Sequence, residues 1–78
     1  MKLVYGNNTI EIRDEVFLLW FEGLEKIDSL LTDEARQDLF NGATLEGIRR
    51  AWDEGKREYH LSDDEKELLL TLIQMRFP

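Results

Sequence analysis

Between Asp14 and Leu31 the apolar side chains Phe17, Trp20, Leu24, Ile27 and Leu31 recur at intervals of three and four residues. That spacing lines one face of an α-helix and does not fit the alternating faces of a strand. It commits the longest segment of the chain to an amphipathic helix, and the remaining residues must supply a surface for its apolar face. Within it, "EVFLLWFEGL" (15–24) places seven apolar side chains in ten positions. Val16 and Phe21 widen the stripe, Leu18 and Leu19 fall on flanking or opposite faces, and Glu22, Glu25 and Ser29 mark the wet side. The first half of this helix is thus apolar most of the way round, although a peripheral helix of a small domain buries one stripe.

The flanking segments read as partners for that helix. "KLVYGNNTIEIR" predicts a hairpin over about residues 2–13: Leu3, Tyr5, Ile10 and Ile12 alternate with polar neighbours, and Gly6-Asn7-Asn8 tolerates the positive φ of a tight turn. A lone hairpin is marginal, so it must lie on the helices or pair with another strand. Asp14 is the expected N-cap of the first helix, about 14–31. Thr32 caps a short helix over about 33–40, which Asn41-Gly42 ends. Thr44 caps a third, about 44–54, with Leu45, Ile48, Ala51 and Trp52 on one face and Gly55 at its end. "KREYHL" is a connector or a short extended segment. Ser62 and Glu65 form a capping box opening a last helix, about 62–76, with Leu68, Leu69, Leu72, Ile73 and Met75 along its stripe and Leu70 off it. The expected fold is a single α-rich α+β domain over 1–78, a hairpin followed by three or four packed helices.

A chain of 78 residues hides only about 60% of the surface it exposes when unfolded, and such domains usually gain stability from a disulfide, a metal or a partner. No cysteine is present and His60 is the lone histidine, so disulfides, thiolate sites and imidazole-built metal sites are not expected. Packing or association must supply the difference. The stretch MKLVYGNN lacks a signal-peptide pattern, and the longest apolar run, residues 16–21, is far shorter than the roughly 20 residues that span a bilayer. A soluble, cytoplasmic protein with no membrane association is the expectation.

The net charge of −7 argues against phosphate neutralisation, which needs clustered Lys and Arg. The acidic residues gather instead at expected helix starts, Asp14-Glu15, Asp33-Glu34, Glu46 and Asp63-Asp64-Glu65, where each gains a few tenths to about 1 kcal/mol from the helix dipole. "SDDEKE" lacks the twelve-residue spacing and central glycine of an EF-hand loop. His60 carries an imidazole, a common general acid or base, but has no matched nucleophile. "DLFNGATLEGIRRAW" has the glycine-to-aliphatic separation of a helix-turn-helix in Gly42 and Ile48, yet Asp38 stands where a small apolar residue must pack and Glu46 would face phosphates. Arg49, Arg50, Lys56 and Arg57 form the one basic cluster and fit a helix C-terminal end. "REYHLSDDE" resembles the Tyr-x-Leu-Ser-Asp-x-Glu stretch of the Hha-type nucleoid modulators, small helical proteins that bind a DNA-packaging partner. The likeness covers a connector and a helix cap, the hairpin has no counterpart in that family, and no membership is assigned.

The aromatic and aliphatic excess remains. Large exposed apolar patches mark association sites, and Trp and Tyr are common at binding hot spots. The expected function is therefore non-catalytic: a small acidic adaptor or inhibitor docking on a larger protein that is basic or binds nucleic acid. Phage-type host-takeover proteins, including anti-CRISPR inhibitors, are similar in size and charge. The expected partner-binding residues are Leu18, Leu19, Trp20, Phe21, Trp52, Leu70 and Phe77, with Glu22, Glu25, Arg49 and Arg50 as a charged rim; no catalytic residue, metal or cofactor is expected. The alternatives are a self-associating dimer built on the first helix and a weak helix-turn-helix-like DNA binder.

Overall fold

The computed structural model describes residues 1–76 and shows an α+β architecture. Strand β1 (Lys2–Tyr5) and strand β2 (Asn8–Glu11) are followed by helices α1 (Asp14–Asp28), α2 (Asp33–Phe40) and α3 (Glu46–Asp53), strand β3 (Glu58–His60) and helix α4 (Asp63–Arg76). Tyr5 pairs with Asn8, so the hairpin loop is the two residues Gly6 and Asn7. Within that loop positive φ falls on Gly6 and not on Asn7, at 57°, the position a type II′ turn reserves for glycine.

The hairpin does find another strand. "EYH", which the sequence leaves open as a connector or an extended segment, is β3, and it runs parallel to β1 to give the order β2-β1-β3. Leu3 faces Ile10 on one side and Tyr59 on the other, so those three side chains share the helix-facing side of the sheet. The opposite face sets Lys2 between Glu11 and Glu58, and Val4 between Thr9 and His60. His60 is exposed there, 3.2 Å from Glu58.

The core forms where this sheet and α4 close on α1. Phe17, Phe21 and Leu24 of α1, Ile48 of α3, Leu68, Leu69 and Leu72 of α4, and Leu3 of β1 are the largest fully buried side chains. Each contributes about 1.5–3 kcal/mol relative to exposure. No polar or charged residue is buried with them among the described residues. Rings gather at one end: Phe17 stacks on Phe21 at 5.2 Å and on Trp52 at 4.4 Å between centroids.

Several expected details differ. Phe21, expected at the partner surface, is 0% exposed; it lies one turn beyond Phe17 on the same face, and their stacking draws it inward. Val16 and Met75, assigned to core stripes, are exposed, each at the margin of its helix's apolar arc. The N-cap of α1 is Arg13, whose backbone is extended, and Asp14 is the first helical residue. The Asp14 carboxylate takes the Met1 ammonium at 2.9 Å and Arg57 at 3.2 Å rather than capping a backbone amide. Helix α1 stops at Asp28 and not Leu31, because Thr32 must be extended to cap α2 through the Ala35 amide. Leu30 consequently stands in the turn at 77% exposure. Thr44 accepts from the Glu46 amide at 3.3 Å just ahead of α3, whose N-cap is Leu45. The Ser62–Glu65 capping box forms as expected, with reciprocal bonds of 3.0 and 3.1 Å.

Candidate functional site

Where the hairpin meets α4 the surface opens into an apolar groove of about 220 Å³. Its floor is built from the buried Leu3, Leu61 and Leu69, and its walls from Tyr5, Ile10 and Leu70. Two chain features create it. Strand alternation turns Ile10 to the same face as Leu3 but at the edge of the sheet, where no further strand covers it. On α4, Leu68, Leu69 and Leu72 fill the core, so the next residue of that run, Leu70, points away from it. Ile10 and Leu70 remain 37% and 40% exposed.

Charge frames the groove. The Tyr5 hydroxyl donates to Asp63 Oδ1 at 2.7 Å, and the Asp63 carboxylate, by that bond and by its charge, raises the phenol above its ordinary value. Lys66 lies over the Tyr5 ring at 4.7 Å and pairs with Glu67 at 2.9 Å. The Glu67 carboxylate raises the lysine in turn. The lysine is therefore neutralised by its neighbour, and Asp63 leaves the rim acidic.

A second, polar trench of about 590 Å³ runs beside α1 and α3. It contains Arg49, which reaches Glu25 at 3.4 Å and Asp53 at 3.5 Å, and Arg36, which reaches Asp28 at 2.8 Å. Arg50 and Glu46 also line it. Its groups largely answer one another. Lys56 is 3.3 Å from Glu54, and Arg57 is 3.2 Å from Asp14 while its guanidinium covers the Trp52 ring at 3.8 Å. Three members of the basic cluster thus each face a carboxylate, an arrangement that leaves little positive field for phosphates. Asp38 is exposed rather than packed between α2 and α3.

The structure distributes the expected site residues widely. Leu70 lines the groove. Leu18 and Leu19 are exposed on the outer side of α1 with Glu22, Leu19 at 75%. Trp20 and Trp52 are partly buried against the core, and Phe21 is inside it. Glu25, Arg49 and Arg50 come together in the trench, away from Leu70. Phe77 lies outside the described residues. Tyr5, Ile10 and Lys66 were not anticipated; the available signal was the requirement that the hairpin's apolar side lie on the helices.

Among the described residues no three His, Asp or Glu side chains gather as a metal site. No helix among them is long and apolar enough to cross a membrane. No protein-family model matches the chain, and neither the curated proteins nor the solved structures contain a match to it.

Proposed function

We propose that this chain is a non-catalytic protein-binding module, a small acidic adaptor or inhibitor that docks on a larger, basic protein through the hairpin–α4 groove. The observation that carries the proposal is the exposure of Ile10 and Leu70 over a floor of buried leucines, with Asp63 bonded to the Tyr5 wall and Glu67 paired with the lining Lys66. An apolar pocket of this kind provides affinity, and a net charge of −7 steers a cationic partner towards it. The shifted protonation states fit a non-catalytic role. Tyr5, Tyr59 and Lys66 are raised and Asp14 is lowered, each away from neutrality, whereas general acids and bases are tuned towards it. A cytoplasmic setting accords with a chain that uses no cysteine.

Paired affinity capture tests the proposal. The wild type and Leu19→Glu should retain the same partner, and Leu70→Glu should lose it. Equal capture by wild type and Leu70→Glu would remove the groove from consideration.

A further inference from the structure

We infer that the groove's occupant is an extended segment of another protein that adds to the sheet as a fourth strand beside β2, with apolar side chains at alternate positions and basic ones between them. This rests on the groove being the binding site. The backbone supports it independently of the apolar lining. Met1 and Ile12 exchange backbone bonds, Ile12 N–H to Met1 O at 2.9 Å and the Met1 ammonium to Ile12 O at 2.7 Å. In an antiparallel ladder such pairs alternate, so Asn8, Ile10 and Ile12 turn their peptide groups towards β1, and Thr9 and Glu11 turn theirs outward. Among the described residues the order β2-β1-β3 places no strand on that side.

The edge also lacks some of the usual protections. Asn8–Glu11 contains no lysine, no proline and no positive φ that would mark a glycine-type bulge. Among the described residues, shortness and Glu11 are its guards. An incoming strand would pair with the N–H and C=O groups of Thr9 and Glu11. Its alternate side chains, turned to the helix-facing side, would then lie over the groove between Ile10 and Leu70. Charge selects the chemistry of the other positions, which turn to the opposite face: there Glu11 lies on the edge strand itself, and Glu58 stands across Lys2 from it.

The test uses the full chain, labelled with ¹⁵N and ¹³C-methyl groups, and a synthetic peptide of alternating valine and lysine. Saturable shifts are expected at the Thr9 and Glu11 amides and the Leu70 methyls. Binding should weaken about tenfold or more, the equivalent of one or two hydrogen bonds, when alternate peptide nitrogens are methylated, and similarly in Thr9→Pro. Proline is tolerated at an edge position whose N–H points outward; if Thr9→Pro does not fold, the methylated peptide still decides. Leu70→Glu should abolish the shifts. Loss in Leu70→Glu with undiminished binding by Thr9→Pro and by the methylated peptide would overturn strand addition and leave the groove standing. Absence of any binding, or shifts remote from β2 and α4, would overturn both. A valine–glutamate peptide that binds as well would overturn the basic character of the partner, and concentration-dependent shifts at Thr9 without peptide would assign the edge to a second copy of this chain.

Discussion

Arg36 does more to Asp28 than neutralise it. One guanidinium nitrogen donates to the Asp28 carboxylate at 2.8 Å and to the Ala43 carbonyl at 3.0 Å, while the other donates to the Asp28 main-chain carbonyl at 3.0 Å. A single planar group therefore fastens the last turn of α1 to the segment that leads from α2 into α3. Both side chains are mostly shielded from solvent, so the bonds are not those of a loose surface pair.

Arg36→Ala should accordingly cost about 2 kcal/mol, the range for hydrogen bonds to charged groups. Arg36→Lys should recover little of it, because an ammonium cannot present the same planar fork to three acceptors. Urea denaturation of the three proteins decides this; a loss below about 0.5 kcal/mol for Arg36→Ala, the level of an ordinary surface change, would show that the joint is slack.

Gly47 lies where α3 passes β3. A methyl group there would land on the Tyr59 hydroxyl, which is held by Glu65 at 2.7 Å and so cannot simply swing aside. Gly47→Ala should destabilise by about 1–3 kcal/mol through overpacking, despite alanine's better helix propensity. Tyr59→Phe removes the obstructing oxygen, so the double variant should lose less than the sum of the two. Strict additivity in thermal melts would contradict the close approach.

Burial, followed by the hydrogen bond to Glu65 and that carboxylate's charge, pushes Tyr59 up to about 12 from 10.0. A folded value above the unfolded one means that the fold favours the neutral phenol. Its contribution is complete below pH 10 and declines as the pH rises from 10 through 12. Stability should fall in that window, and the fall should shrink in Tyr59→Phe. With Tyr5 also raised, by its bond to Asp63 first of all, the tyrosinate absorbance of the native chain should lag behind that of the chain in urea. Superimposable titrations would refute both assignments.

The two sides of α1 should respond in opposite ways to substitution. Phe21→Ala empties a fully buried position and should cost about 3–5 kcal/mol. Leu19→Glu, on the outer side, should stay within about 0.5 kcal/mol of wild type. Chemical denaturation of each variant checks the orientation of the helix, and equal effects would mean that it is rotated from the position described.

Features governed by neighbouring residues were legible in the sequence. Gly6 marked the hairpin turn, Thr32 and the Ser62–Glu65 pair marked helix starts, and Asn41, at φ 50°, marked an end. Features governed by distant residues were not. Glu58-Tyr59-His60 is too short to show alternation and becomes a strand because β1 offers an edge across more than fifty intervening residues. Phe21 and Leu18 both looked like candidates for a surface on a helix apolar most of the way round; only the stacking on Phe17 and the seat of α4 separate them. The candidate groove was half visible, since Leu70 stood off its stripe, but Ile10 and Tyr5 belong to another element and no local pattern joins them to it.

The central place of β1 has a consequence for how the chain is made. Its first neighbour is available at once, but its second, β3, leaves the ribosome only about fifty residues later. At about 5–20 residues per second, the newborn hairpin waits roughly 2.5–10 seconds for that neighbour. During this interval two bare edges, rather than one, are open to passing chains. Slower synthesis should therefore lengthen the exposure of both edges to passing chains.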